Sequence, residues 1–241
     1  MTPQVLVIGL GNDYRGDDAV GRAVARRLQA IAGDYVRVLE ESGEGVALME
    51  SWKGGDFVIL IDAVHSSAAA GTIHRFDAAT QPVPGSFFHY STHAFSVAEA
   101  VELARALNQL PPRLVIYGIE GKNFDSRVGL SPEVKMAAEE LFRMVKEDLC
   151  TNSRSYDLLR KIESIAREQG GQRVAGLKVK LGVLSHISAD HFASTSKPLR
   201  EARSAEGARL EIETLTDEYD PHAQDILLES WSWRSSASSH K

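Results

Sequence analysis

The sequence predicts an α/β protein with a mainly parallel sheet that carries helices on both faces, followed by a small mixed α/β domain. Two observations predict this class. Apolar runs with the length of buried strands alternate with amphipathic segments at helical spacing through residues 1–150. A further helix and alternating, half-buried strands follow in residues 156–233. We expect residues 234–241, which are rich in serine, to be a disordered tail.

Composition limits the kind of protein this is. The hydrophobic content of 43% suits a globular chain, and no apolar run has the length of a membrane span. The single cysteine, Cys150, provides neither a disulfide framework nor a cysteine-cluster zinc site. Residues 1–3 lead directly into a predicted strand without a signal peptide, so we expect a cytoplasmic protein with no membrane partner.

The charge is distributed unevenly along the chain. Residues 151–241 contain 13 basic and 13 acidic side chains, so the net charge of −6 belongs to residues 1–150. An acidic first part argues against nucleic acid as a partner.

The first predicted elements are a strand, a glycine turn and a helix within residues 4–28. Val5–Ile8 have the character of a buried parallel strand, and Gly9 and Gly11 allow a sharp turn after it. A dinucleotide fingerprint would require a third glycine where Tyr14 stands, so the motif does not favour a nucleotide site.

Two adjacent carboxylates, Asp17 and Asp18, stand at the predicted start of the first helix. Negative charge at a helix N-terminus would repel a phosphate, but it could bind a cation. Capping of the helix is the alternative, because acidic residues stabilise helix N-termini, and we expect one of the two to act in this way.

The remaining elements of the first part follow in order. A polar loop with Glu40 and Glu41 follows the second strand, and Asp62 follows the most apolar strand. We expect residues 71–76 to form an edge strand. The predicted strands are 35–39, 57–61, 71–76 and 113–117, and the predicted helices are 47–52, 97–107 and 131–149.

Several polar side chains are predicted to meet at one edge of the sheet. Ligands of parallel sheets bind outside the carboxyl ends of the strands. Asp18 follows the first strand, Glu40 and Glu41 follow the second, Asp62 follows the central one, and His93 precedes a helix that starts at the same edge.

Two carboxylates and one imidazole suit a borderline divalent ion such as nickel or zinc. Each residue also has a simpler explanation. Asp18 could cap a helix instead of binding a metal, and Asp62 could be satisfied by backbone N–H groups. His65 or His89 could take the place of His93 as a ligand.

Residues 4 to about 149 resemble the hydrogenase maturation proteases, peptidases that trim the C-terminus of the large subunit of nickel-iron hydrogenases. The resemblance rests on GLGNDYRGDDAVG at 9–21, VILIDAV at 58–64, STHAFSV at 91–97 and YGIEGKNFDSRVGLSPEV at 117–134. It implies a phosphorylase/hydrolase-like three-layer fold for residues 1–150.

The resemblance also implies a site and a reaction. Metal ligands would be Asp18, Asp62 and His93, and these three with Glu41 are the catalytic candidates of an aspartyl-type endopeptidase. The expected metal is nickel carried by the substrate, although zinc or cadmium could also bind. The expected partners are the large-subunit precursor and nickel-delivery accessory proteins.

No Ser or Cys nucleophile stands out beside a histidine, so we expect attack by water, activated either by a metal or by a carboxylate such as Asp17, Glu41 or Asp62.

Residues 156–233 resemble the N-terminal domain of the nickel-incorporation accessory protein of hydrogenase assembly. The matching segments are residues 157–188 and 205–215, preceded by a polar, linker-like stretch at 150–155. Residues 217–225 replace the zinc loop with its two Cys-x-x-Cys pairs, and the N-terminal Met-His-Glu motif is missing. We therefore expect no nickel or zinc in this domain and interpret it as a docking module.

Two functions remain open from the sequence. The first is an endopeptidase that removes the C-terminal extension of the large subunit after nickel insertion. The second is a non-catalytic scaffold that senses nickel loading.

Overall fold

The chain folds into two compact units, residues 1–146 and 147–241. The computed structural model describes residues 5–33, 35–78, 80–85, 96–126, 129–170, 172–185, 188–195 and 205–234.

The first unit confirms the predicted α/β class. Its sheet has the strand order β2-β1-β3-β5-β4, in which β4 alone is antiparallel to its neighbour and forms an edge, as predicted. The strands are β1 (Val5–Leu10), β2 (Val36–Glu41), β3 (Phe57–Val64), β4 (Ile73–Asp77) and β5 (Arg113–Glu120). The helices are a short 3₁₀ helix (Gly16–Ala19), α1 (Val20–Gln29), α2 (Gly45–Ser51), α3 (Val97–Ala106) and α4 (Pro132–Glu168).

Helices cover both faces of this sheet because the central strands are apolar on both sides. Alternate residues of β1, among them Leu6 and Ile8, pack in one core with Trp52 at the end of α2 and Val101 of α3. The intervening residues of β1 are also fully buried, and α1 lies against β1, β2 and β3. Helix α4 is joined to α1 through Arg27, which is hydrogen-bonded to Glu139 at 2.6 and 2.9 Å.

The prediction for residues 149–156 is wrong. The sequence indicated a helix end near Leu149 and a linker at 150–155, whereas α4 continues from Pro132 to Glu168. The polar residues there have only modest helix propensities, but no Gly or Pro occurs between Pro132 and Gly170 to interrupt the hydrogen bonding. Gly170, with φ of +70°, follows the helix end in the left-handed conformation that glycine favours. The boundary between the two units therefore falls within a helix, and the domain assignments themselves remain predictions.

Strand β5 is also longer than predicted. The predicted strand ended at residue 117, but β5 extends to Glu120, with Asp62 opposite Gly118 and Val64 opposite Glu120. This extension places Glu120 at the same edge of the sheet as Asp62.

The second unit is the predicted small mixed domain. It contains β6 (Val174–Leu181), α5 (Ala189–Thr195), β7 (Arg209–Thr214) and β8 (Ile226–Trp233). The strand order is β7-β6-β8, with β7 parallel and β8 antiparallel to β6. The predicted disordered tail lies, from residue 235 onward, outside the described residues.

Across the described part of the chain, every helix is either too short or too polar to cross a membrane.

Candidate functional site

The carboxyl ends of β1, β2 and β3 form one edge of the first sheet. Strand pairing places Leu10 opposite Glu41 and Gly9 opposite Ile61, so the strands end side by side. Asp62 lies near the end of β3, and Asp18 lies in the 3₁₀ helix that contacts β3. His93 and its alternative His89 lie outside the described residues.

Two glycines allow Asp18 to approach Asp62. Gly11 has φ of +119°, and a Cβ there would lie 1.8 Å from the carbonyl oxygen of Asp18. A Cβ at Gly21 would lie 2.1 Å from the carbonyl oxygen of Ile61. Because both positions lack a Cβ, the loop folds back on itself and the first turn of α1 rests on the end of β3.

Asp62 has an unusual environment for a carboxylate. Desolvation by the surrounding protein and the nearby charge of Asp18 raise its pKa to about 8, although the Ala63 N–H donates to Oδ1 at 2.9 Å. Two neighbouring carboxylates in a poorly solvated site disfavour simultaneous ionisation. Protonation of Asp62 therefore relieves the repulsion between the two carboxylates.

Asp18 has a nearby cation in Arg15. Their closest charged atoms, Nη1 and Oδ2, are 3.7 Å apart, and both side chains keep some solvent access. At that distance the attraction is that of a surface ion pair, which contributes little to stability.

Asp17 has a different role from the one predicted. It is fully buried, and the N-cap positions of the 3₁₀ helix and α1 are Arg15 and Ala19, so neither aspartate occupies a cap position, although both lie in the first turn of the 3₁₀ helix. Its carboxylate accepts hydrogen bonds from Ser131 N–H at 2.6 Å, Ser131 O–H at 3.0 Å, and the N–H groups of Lys122 and Asn123, each at 2.9 Å. Burial opposes ionisation, but these bonds outweigh it and lower the pKa of Asp17. Asp17 thus anchors Lys122, Asn123 and Ser131 to the first motif, and this role does not suit a general base that must reach a substrate.

The two glutamates at the end of β2 lie on opposite faces of the sheet. Glu40 accepts hydrogen bonds from Arg22 at 2.9 Å and from Arg26 at 2.6 and 3.0 Å, which occupy both of its oxygens. Glu41 instead accepts a hydrogen bond from the Ser51 hydroxyl of α2 at 2.8 Å. Side chains alternate along a strand, so Glu41 lies on the same face of the sheet as Leu39, which packs with the core formed by α2 and α3. Asp62 lies on this face too, because it alternates with Leu60 and Val64 of the same core. Glu41 therefore fits the site better than Glu40 does.

An ion-pair network that was not predicted from the sequence holds the loop that leads to Asp18. Arg26 donates to Asp13 at 2.6 and 3.0 Å while it also binds Glu40. We name Asp13, Arg22, Arg26 and Glu40 the α1 clamp. Its signal in the sequence is the pair of arginines four residues apart on α1, but one acidic partner, Asp13, lies in the loop after β1 and the other, Glu40, lies near the end of β2.

A second polar group lies at the same edge, around the buried carboxylate of Glu120. It accepts hydrogen bonds from the backbone N–H and the hydroxyl of Ser66, both at 2.8 Å. His74 and His65 approach it at 3.5 and 3.8 Å. His65, the other alternative to His93, therefore lies beside Glu120.

The donor chemistry of Asp18 and Asp62 fits a divalent cation, because two like charges held close together become more stable when a cation lies between them. Within the described ranges, no group of three or more His, Cys, Asp or Glu side chains is arranged to hold a metal ion. The predicted ligand set thus has two members in the described part of the chain.

Comparisons with known proteins point to one family. A family model described as hydrogenase maturation protease matches residues 20–148. The hydrogenase 2 maturation protease of Escherichia coli is 27% identical over 146 residues, covering 59% of this chain and 88% of that protein. A putative hydrogenase maturation protease of Methanocaldococcus jannaschii is 29% identical over 147 residues, covering 58% and 93%. The solution structure of an endopeptidase from Escherichia coli superposes with a TM-score of 0.52 at 26% identity, covering 59% of this chain and 89% of that one.

Proposed function

Because this chain belongs to the hydrogenase maturation protease family, and is thus a peptidase, we propose that it removes the C-terminal extension of a nickel-iron hydrogenase large subunit after nickel insertion. The observation that carries the proposal is the placement of Asp18 beside Asp62 at the carboxyl edge of the sheet, where the 3₁₀ helix that contains Asp18 contacts β3. A buried carboxyl group whose proton affinity is raised by burial and by a neighbouring carboxylate is suited to recognise a cation in a substrate.

In this proposal, Asp18, Asp62 and His93 are the ligands that recognise the metal. The metal is nickel that arrives with the precursor, and zinc or cadmium would occupy the same donors in vitro. A divalent ion at this position would polarise the scissile carbonyl.

Glu41 is the residue that we propose to move the proton. The Ser51 hydroxyl occupies Oε1, which leaves Oε2 able to accept a proton from a water molecule. That water attacks the scissile carbonyl carbon, and the proton then passes to the leaving amide nitrogen as the C–N bond breaks. Ser51 orients Glu41 in this role, because a hydrogen bond to one oxygen restricts rotation of the carboxylate.

A processing assay tests the proposal. The full chain is incubated with nickel-loaded large-subunit precursor, and the precursor is measured by intact-mass spectrometry. We expect a mass loss equal to a C-terminal peptide, and no loss with precursor that lacks nickel. Binding to the loaded precursor without any mass loss would instead support the second candidate, a scaffold that senses nickel loading.

For the second unit, we propose a role as a docking module related to the nickel-incorporation accessory protein. The support is its sequence resemblance and its separate mixed sheet. Such a module would hold the protease near nickel-delivery accessory proteins. Chemical cross-linking of the full chain in a hydrogenase-producing cell extract, followed by peptide mapping, tests this role. Cross-links that all fall in residues 1–146 would contradict it.

A further inference from the structure

The loop that carries Asp18 presents a large aromatic side chain to solvent. Tyr14 is 74% exposed, which makes it the most exposed large hydrophobic side chain among the described residues of the first unit. It lies four residues before Asp18 in the same loop. An exposed aromatic ring is common on protein surfaces, so its meaning depends on how the loop is held.

The segment from Gly11 to Asp17, which we call the Tyr14 loop, is fixed at both ends and in the middle. At its start, the Gly11 N–H donates to the Glu41 carbonyl oxygen at 3.2 Å. In the middle, the side chain of Asp13 accepts two hydrogen bonds from Arg26 within the α1 clamp. At its end, the buried carboxylate of Asp17 accepts four hydrogen bonds.

Tyr14 itself has a locally defined backbone. Its N–H donates to the Asn12 side-chain oxygen at 2.9 Å, and the next N–H, of Arg15, donates to the Asn12 carbonyl at 3.1 Å. An Asx turn of this kind constrains the direction in which the following residue points. The ring is therefore held out from the surface by a loop whose conformation is set by many contacts.

A preorganised aromatic side chain next to a catalytic edge has the properties of a binding contact. Tyrosine brings a large apolar area at low entropic cost, and aromatic residues are enriched among the contacts that dominate binding energy. Val46, at 69% exposure, lies at the start of α2, which follows β2 at the same edge. The edge thus offers two exposed apolar side chains, one in the loop after β1 and one at the start of the helix after β2.

We propose that Tyr14 is a specificity-determining residue that packs against the precursor polypeptide beside the scissile bond. The inference rests on the proposed function, because it takes the large-subunit precursor as the substrate. A polypeptide is the occupant that this edge favours, since an extended chain can contact the ring of Tyr14 while its neighbouring residues reach Asp18. The contact acts on substrate binding rather than on the chemical step.

The test compares three variants in the full chain. Tyr14→Ala removes the ring, and Tyr14→Phe keeps it without the hydroxyl. Tyr219→Ala is the matched control, because Tyr219 is 94% exposed and follows an equivalent turn in which its N–H donates to Asp217 at 2.9 Å, but it belongs to the second unit. Each variant is measured for kcat and KM with nickel-loaded precursor, for affinity to the same precursor by biolayer interferometry, and for thermal unfolding.

We expect Tyr14→Ala to raise KM and Kd by about tenfold, the loss typical of a central aromatic contact, with kcat unchanged. Tyr14→Phe should restore both values, and Tyr219→Ala should match the wild type. All three should unfold at the wild-type temperature, because the rings are exposed.

Other outcomes would overturn the inference. An unchanged Kd in Tyr14→Ala would remove Tyr14 from the interface, and equal losses in Tyr14→Ala and Tyr219→Ala would assign the effect to general surface properties. Precursor that binds but is not cleaved by the wild type would refute the proposed function alone, since the Kd comparison would still decide the role of Tyr14. Precursor that the wild type does not bind at all would refute both.

Discussion

At the residue scale, adjacent aspartates in the first motif have opposite roles. Asp17 is buried under four hydrogen bonds, whereas Asp18 keeps solvent access at the carboxyl edge of the sheet. Asp17→Asn would turn an amide toward backbone N–H donors that need an acceptor. We expect it to lower the free energy of unfolding by about 2–4 kcal/mol, measured by urea denaturation. Asp18→Asn is the matched control and should cost less than about 1 kcal/mol. Equal effects of the two variants would contradict the anchoring role of Asp17.

Asp62 predicts a pH dependence of stability. Its pKa is raised to about 8 in the folded protein from an ordinary value of 3.8, so the folded state binds the proton more tightly than the unfolded state does. The contribution of the neutral Asp62 carboxyl group to the free energy of unfolding is therefore fully present below the ordinary pKa, and it is lost as the pH rises through about 8. Asp62→Asn removes this dependence, so its melting temperature in chelator-treated buffer should exceed that of the wild type progressively more from pH 5 to pH 9. A constant difference across that range would show that Asp62 ionises normally.

His93 gives a prediction about activity. As a proposed ligand, it should be essential for recognition of the loaded precursor, so His93→Ala should reduce processing by at least about 100-fold. His65→Ala is the comparison, because His65 lies beside Glu120 and was the sequence alternative. Full processing by His93→Ala, measured by intact-mass spectrometry, would remove His93 from the site.

At the element scale, α1 supports the site through its polar side. Arg26 joins the Tyr14 loop to the end of β2, and the adjacent Arg27 joins α1 to α4 with a similar bidentate geometry. We expect Arg26→Ala to weaken nickel binding, measured by calorimetry, by about tenfold because Asp18 loses its support. Arg27→Ala breaks an equivalent ion pair and should leave nickel affinity unchanged. Similar affinities in both variants would mean that the α1 clamp does not position Asp18.

The elements also show what the sequence could predict. The runs Val5–Ile8 and Phe57–Ile61 identified the buried central strands, because near-continuous apolar runs occur where both faces of a strand are covered. The same approach failed at residues 150–155, because polar composition indicates a linker although nothing in it prevents a helix.

At the scale of the whole molecule, the sequence predicted the position of residues at the sheet edge better than it predicted the contacts that they make. Parallel topology was enough to place Asp18, Glu41 and Asp62 at one edge. The anchoring role of Asp17 was not predictable in this way, because three of its four donors are backbone N–H groups more than a hundred residues away, and backbone groups leave no pattern in a sequence. Likewise, the α1 clamp depends on charges from three elements that only the folded chain brings together.

The raised pKa of Asp62 has a consequence for thermodynamic measurements on this protein. At pH 7 the carboxyl group is mostly neutral, so a divalent ion that binds there, as we propose, would displace its proton. Capture of the ion should then acidify the medium by about one equivalent, and the apparent heat should vary linearly with the ionisation enthalpy of the buffer. Above pH 9 that slope should approach zero.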